Sequence, residues 1–263
     1  MKHNLHTFVI LAYQESPYLE QCIKSVINQS VASSIIIATT TPNEYITRLA
    51  TKYQLKTVTG VHTNIGGDFD FALHSGKTPL VTIAHQDDIY DKDYAKKVIT
   101  THQEHLDSSI IFTNYYEIRN NKKIYTNLNL KIKRLLLFPF LFKRHIKSKF
   151  VKRLILRFGD PICCPSVTFV TKNCPAHVFS SHFKCNVDWH AWETLSKNRH
   201  SFSYLKEPLI GHRISDESTT TDIINQGIRT KEDYEIFQRF WPKWIAKILT
   251  KIYRISEKSN STN

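Results

Sequence analysis

The chain has 263 residues, of which 41% are hydrophobic and 22% charged, an ordinary globular composition that excludes wholesale disorder and collagen-like or low-complexity architecture. That length suffices for one or two domains with a substantial core. The net charge of +13 is concentrated: residues 131–157 carry ten basic side chains and no acid, residues 239–258 add +5, and about −2 is left elsewhere. A generally basic nucleic-acid binder would spread its charge more widely.

Phe8-Val9-Ile10-Leu11 has the pattern of a buried strand, and Tyr18, Leu19, Cys22, Ile23, Val26 and Ile27 follow at helical spacing. Ile35 to Ala38 is a second strand, closed by a Thr39-Thr40-Thr41-Pro42 turn; Tyr45, Leu49 and Tyr53 mark a second helix, and Val58 a short third strand. Asn64 to Gly67 forms a turn before a helix at Phe69 to Leu73, and Leu80 to Ala84 is a fourth buried strand running into His85-Gln86-Asp87-Asp88. Strands alternating with helices predict a parallel sheet covered on both faces, whose ligands sit beyond the carboxyl ends of the strands. The polar clusters at 12–16, 39–44 and 85–88 all fall there. Further on, residues 110–118 and Val167 to Val170 are predicted strands, and Asp188 to Leu195 opens a helix.

Cys22, Cys163, Cys164, Cys174 and Cys185 include no CxxC pair, so neither a disulfide framework nor a zinc site is expected. The apolar stretch near the start is too short for a signal peptide, and the run Leu135 to Phe142 is far below the roughly 20 residues a bilayer span needs. A cytoplasmic protein that touches a membrane without crossing it is expected.

Three clusters are suited to chemistry. Asp87-Asp88 at the end of an apolar strand places like charges side by side; a hard divalent cation offsets that repulsion, while the plainer alternative is that Asp88 or Asp91 caps the helix implied by Tyr94 and Val98. Asp188 beside Trp189 and Trp192 suits a general base next to an aromatic platform, or an N-cap over core tryptophans. His212-Arg213-Ile214-Ser215 with Ser218-Thr219-Thr220 is a donor-rich loop suited to phosphate.

In this order the pieces resemble the family 2 glycosyltransferases of the GT-A fold, in the branch that builds bacterial polysaccharides. Phe8 to Tyr13 followed by Tyr18-Leu19-x-x-Cys22-Ile23-x-Ser25-Val26-x-x-Gln29 looks like the opening strand, nucleotide turn and first helix; Asn64 to Leu73 is similar to an NxG…NFxxAL segment. His85 to Tyr90 resembles the DQDDIW metal motif, Asp160 to Val167 an acceptor-side loop, Asp188 to Trp192 the EDWDLW motif of the catalytic base, and His212-Arg213 the late YRxH segment. The resemblance implies Asp88 as metal ligand for Mg²⁺ or Mn²⁺ and Asp188 as base. It implies that Ala12, Tyr13, Glu15, Thr39, Asn64, Asp68 and Asp87 line the nucleotide sugar, and that Trp189, Trp192, His212 and Arg213 lie toward acceptor or diphosphate. The donor would be a UDP-sugar, with dTDP as the second choice, the acceptor a glycan carried on a lipid, and the outcome inversion. Four positions depart from the pattern: Thr39-Thr40 stand where Asp-Asp is usual, Phe69 and Asp70 where Arg or Asn is common, His85 replaces the first acid of DQDD, and Val187 a Glu. These departures keep two alternatives in view: a degenerate, non-catalytic scaffold or sugar-binding subunit, and a nucleotidyltransferase. The latter would need a glycine-rich basic loop after the first strand, and Leu11 to Tyr18 has no glycine.

Ile146, Phe150, Leu154 and Phe158 recur every four residues among lysines and arginines, and Trp241, Trp244, Ile245, Ile248 and Ile252 repeat the pattern. Such cationic stripes suit an anionic membrane surface, or helices packed on their own domain with a solvated back; no nucleic-acid motif accompanies them. The expected organisation is a GT-A-like domain at 1–225, its nucleotide half about 1–110 and its acceptor half about 111–225, followed by a basic amphipathic appendage at 226–263. The protein is expected on the inner face of the cell membrane.

Overall fold

The computed structural model describes residues 4–179, 182–214 and 227–261. A single mixed sheet runs through it in the order β3-β2-β1-β4-β9-β6-β10-β5. Its first half is the parallel unit the sequence implied: β1 (His6–Ala12), β2 (Ser34–Thr39), β3 (Lys56–Thr59) and β4 (Leu80–His85). They alternate with α1 (Leu19–Ile27), α2 (Glu44–Lys52) and α3 (Ile65–Ser75). Asn43 and Asn64 cap α2 and α3 by accepting from the N–H groups of Ile46 and Gly67 at 2.9 Å each.

The second half adds β5 (Ile89–Tyr90), α4 (Tyr94–Glu104), β6 (Ser108–Arg119) and β7 (Lys122–Ile124), then α5 (Leu128–Leu136), α6 (Pro139–Phe142), β8 (His145–Ile146) and α7 (Lys149–Leu156). β9 (Val167–Val170), α8 (Val187–Ser196) and β10 (Ser201–Arg213) complete the sheet, and α9 (Ile228–Gln238) and α10 (Lys243–Ser261) follow. β9 runs antiparallel between β4 and β6, and β10 lies parallel to β6. The long β10 escapes sequence patterning because Pro208 and register shifts on both sides of it break the alternation. His212 and Arg213, expected in a loop, are its last two residues.

Alternate residues of each central strand serve opposite faces. Phe8, Ile10, Leu80, Ala84 and Ile111 join α1, α2 and α4 in one buried cluster. Val9, Val81, Ile83, Ile110 and Phe112 join α3, α7, α8, α9 and α10 in the other. The segment expected as an appendage is partly core: Ile236, Phe237 and Ala246 are completely or almost completely buried in that second cluster. The basic stretch of 131–158 is also resolved differently. Ile146 belongs to β8, α7 turns Lys152, Ile155 and Leu156 inward, and Phe150 and Phe158 face solvent.

Candidate active site

At the carboxyl edge of the sheet, β1 and β4 are tied together by a reciprocal pair. The Tyr13 N–H donates to Gln86 Oε1 at 3.0 Å, and Gln86 Nε2 donates to the Tyr13 carbonyl at 2.9 Å. This holds His85-Gln86-Asp87-Asp88 against the turn after β1. Neither Asp88 nor Asp91 is the N-cap of α4, which is Asp93; Asp91 Oδ1 instead accepts the Asp93 N–H at 3.0 Å. Asp88 is fully buried and accepts from the Arg213 N–H at 2.8 Å, with His212 Nδ1 3.1 Å from its Oδ1. Burial works to lower the His212 pKa, but the Asp88 and Asp87 carboxylates outweigh it and raise it. Asp87 is pushed up to about 6, first by burial and then by Asp88.

Arg213 is a strut rather than an open anion site. Its Nε donates to the Asp87 carbonyl at 3.0 Å, its two terminal nitrogens to Asn121 and Gln21 at 3.2 and 2.9 Å, and its guanidinium lies 3.9 Å from the Tyr18 ring centroid. The first helix, the acid pair and the last strand are thereby joined.

His85, Asp87 and Asp88 each offer a ligand atom within 4.8 Å of the others. His85 Nε2 is buried and has no hydrogen-bond partner, and its ring stacks on Phe69 with centroids 5.3 Å apart. Burial keeps the imidazole neutral against the pull of Asp88, which leaves a lone pair free. An orphaned neutral nitrogen beside two crowded carboxylates fits a divalent cation.

Asp188 stands in the first turn of α8, half-buried, its Oδ1 accepting from the Trp189 N–H at 2.8 Å. Its setting comes from α9: both Glu232 oxygens accept N–H groups of Lys184, Cys185 and Asn186 at 2.7 to 3.0 Å, and Asn186 Nδ2 donates to Asp233 at 2.7 Å. Asp160 lies beside Asp188. Burial and then the Asp188 charge hold the Asp160 carboxyl well above its usual range, and the two carboxyl groups share a hydrogen bond. Lys133 of α5 sits over the Tyr115 ring at 5.6 Å; burial opposes its charge, but Tyr115 and Asp160 outweigh that and keep it cationic. The segment from Ile162 to Ser166 is buried, its carbonyls at Pro165 and Ser166 held by the hydroxyls of Tyr90 and Tyr94.

On the other side of the edge, Asp68 is 7% exposed in the first turn of α3. Its Oδ2 is held by Thr40 Oγ1 at 3.1 Å and His62 Nδ1 at 2.7 Å, while its Oδ1 is buried without a partner. The Tyr13 and His62 rings lie 6.0 Å apart.

The other expected residues fall variously. Ala12 is buried at the end of β1 and Glu15 is exposed on the rim. Thr39 turns back to accept the Thr41 N–H at 3.1 Å, so its neighbour Thr40 is the one that reaches Asp68. Asn64 is a helix cap. Trp189 and Trp192 are not a platform: they are 1% and 0% exposed. Trp189 donates to the Leu156 carbonyl and packs on Phe237, and Trp192 packs between Phe169 and Phe179. Ser215 and Ser218 to Thr220 lie outside the described residues. Sequence reasoning put Asp160 in an acceptor-side loop, Gln86 in the metal motif and Lys133 in a basic stretch without a role of their own, and passed over His62 and Glu232. It did flag Asp70, whose Oδ1 accepts the Val178 and Phe179 N–H groups at 2.9 and 3.0 Å. Gly66 allows that approach, since a Cβ there would stand 2.3 Å from the Phe179 carbonyl oxygen.

A parallel half-sheet, an acid pair after its fourth strand and a paired carboxylate opening a later helix are the arrangement of a GT-A fold. The glycosyl transferase family 2 model matches residues 7–173, and the chain belongs to that family. No curated protein matches it in sequence. Among solved structures it resembles Staphylococcus aureus TarS 1–349, with 13% identity, a TM-score of 0.54 and coverage of 93% of this chain and 69% of that one. The same TarS fragment in complex with UDP-GlcNAc gives 12% identity, a TM-score of 0.57 and coverage of 93% and 70%. Against S. aureus TarS in a longer form the figures are 14% and 0.55, with 93% of this chain and 42% of that one covered. At these identities the likeness concerns the fold.

Proposed function

We propose that the chain is an inverting, metal-assisted glycosyltransferase that moves a sugar from a nucleotide diphosphate to a hydroxyl of a glycan acceptor. The observation that carries this is the gathering of two carboxylate sites at one sheet edge. His85 feels the charges of both Asp88 and Asp188, so the cluster suited to a cation and the half-buried base lie within electrostatic reach of one another.

His85, Asp87 and Asp88 would hold Mn²⁺ or Mg²⁺, and the mixed nitrogen and oxygen set favours Mn²⁺. Bound there, the ion supplies Lewis-acid stabilisation of the charge on a departing diphosphate. Asp188 accepts the proton of the acceptor hydroxyl. The oxygen attacks the sugar C1 as the C1–O bond to the diphosphate breaks and the leaving oxygen keeps the electron pair, so the anomeric centre inverts. Protonated Asp160 donates to Asp188 in the ground state and fixes its orientation, and Lys133 stabilises the pair.

Asp68 supports a pyrimidine donor. With Oδ2 occupied by Thr40 and His62, Oδ1 accepts the imide N–H that uracil and thymine carry, beside the Tyr13 ring. UDP is favoured and dTDP second, and TarS 1–349 was solved with UDP-GlcNAc. A glycan carried on a lipid, in surface polysaccharide synthesis at the inner face of the membrane, is the acceptor class proposed. No helix among the described residues is long and apolar enough to cross a membrane.

The test is calorimetry with UDP-, dTDP- and GDP-sugars with and without Mn²⁺, followed by nucleotide release from the best donor. Asp188→Asn should keep donor binding and lower turnover by roughly 10²–10⁴. Silence toward every donor would end the reading, and full turnover in the variant would end the base assignment.

A further inference from the structure

The outer faces of α5, α6 and α10 carry large apolar side chains that the fold leaves in water. Leu135, Phe142 and Trp244 expose 69%, 85% and 67% of their surface, and Phe138, Phe158 and Ile252 between 44% and 59%. Monomeric proteins seldom expose so many in one region without a use for them. On α10 the cause is visible in the period. Ala246, Leu249 and Tyr253 turn inward, while Trp244, Ile248 and Ile252 form a second stripe, four residues apart, on the opposite side. A helix packed on its own domain needs only the first stripe.

The elements that carry these groups meet around Gly159. A Cβ at Gly159 would lie 3.1 Å from the Tyr253 ring of α10 and 3.7 Å from Leu136 of α5. Phe158 lies 5.4 Å from the Trp241 ring, which Arg157 covers at 4.0 Å. The ends of α5 and α7 and the middle of α10 therefore share one edge. Lys131 on α5, Lys143 and Arg144 just after α6, and Lys243, Lys247, Lys251 and Arg254 on α10 are exposed, and no acid lies within 131–157.

We propose that α5, α6, the Phe158 corner and α10 form one plate that seats on an anionic lipid bilayer. Trp244, Ile248, Ile252, Leu135 and Phe138 enter the headgroup region, and the flanking lysines and arginines pair with lipid phosphates. Charge selects this occupant over a second copy of the chain, because two such plates face to face would oppose basic residues with basic residues. The plate deepens the membrane placement proposed above and adds an orientation. Gly159 precedes Asp160, and Lys133 on the inner side of α5 reaches toward Asp160. The bilayer thus lies beside the Asp160–Asp188 end of the site, where an acceptor hydroxyl carried on a lipid would be delivered.

The test needs no sugar nucleotide, so its outcome is separate from that of the reaction. The full chain is sedimented with vesicles of phosphatidylglycerol in phosphatidylcholine and with vesicles of phosphatidylcholine alone. Binding to the anionic vesicles, weakened by salt, is expected. The triple variant Trp244→Ser, Ile248→Ser, Ile252→Ser should lose at least about tenfold in partitioning, and Lys247→Gln with Lys251→Gln about fivefold per charge. Leu135→Ser with Phe138→Ser provides an independent pair on α5 and the turn after it should the triple variant fold poorly. Equal partitioning of wild type and both apolar variants would overturn the plate, as would no binding to anionic vesicles. A lipid-free dimer that the triple variant dissolves would assign the face to self-association instead.

Discussion

Replacing His6 by glutamine should flatten the acid side of the stability curve. His6 is fully buried on β1, its ring nitrogens 2.9 Å from Ser33 Oγ and 2.8 Å from Thr82 Oγ1. Burial lowers its pKa from 6.5 to about 3. Because the folded pKa is the depressed one, the unfolded chain takes up the proton first as pH falls. The contribution is intact above 6.5, drains away between 6.5 and about 3, and is level below that. Each pH unit inside the window costs about 1.4 kcal/mol. A drop from about pH 7.5 to about pH 5 therefore removes about 2 kcal/mol through this residue alone. Urea unfolding of wild type and His6→Gln at both pH values measures it. Any loss of packing in the variant is common to both conditions, and the other buried histidines titrate in both proteins, so both cancel in the double difference. Wild type should lose about 2 kcal/mol more than the variant on acidification. Parallel losses would mean that the ring carries its proton inside the sheet, and the linkage would be wrong.

Asp160→Asn keeps a hydrogen-bond donor toward Asp188 and should retain turnover within about tenfold, whereas Asp160→Ala should cost about 10² and shift the acid limb of the pH–rate profile; identical profiles would remove Asp160 from the pair. Asp68→Asn places a donor where an imide N–H must be accepted, so nucleotide affinity should fall roughly 10- to 100-fold with turnover at saturation unchanged, measured by titration with UDP alone. An unchanged UDP affinity would move the base elsewhere.

The parallel half was legible because β1 and β4 are buried on both faces and its helices keep a clear period, so composition and period agree along 7–110. The acid pair was legible for the same reason: Asp87 and Asp88 end an apolar strand, where charge is conspicuous. What failed were inferences about direction. Trp189 and Trp192 flank a plausible base in sequence, yet α8 turns them into the core and leaves Asp188 at the rim. Asp70 was flagged as a departure from the family's pattern, and only the fold shows that its carboxylate is spent on two backbone N–H groups of a segment more than a hundred residues away. The resemblance put Asp160 only in an acceptor-side loop, and its pairing with Asp188, like the parts played by Lys133 and Glu232, comes from tertiary contacts to which no local pattern points.

The same limit explains the basic segments. A period of four among cations marks an apolar stripe but not which way it points, and α7 and α10 resolve that ambiguity oppositely. In α7 the predicted stripe is displaced, with Lys152 buried against the carbonyls of Asn198 and His200 and Phe150 left outside. In α10 Trp244, Ile248 and Ile252 of the predicted stripe face outward, while Trp241 precedes the helix and packs on the domain, and a second stripe built on Ala246, Leu249 and Tyr253 holds the helix in place. A helix that satisfies its own core with small and inward residues is free to present tryptophan and isoleucine to something else. The helix that bears this face sets its inward Tyr253 against Gly159, one residue from Asp160, which makes its orientation relevant to the proposed chemistry.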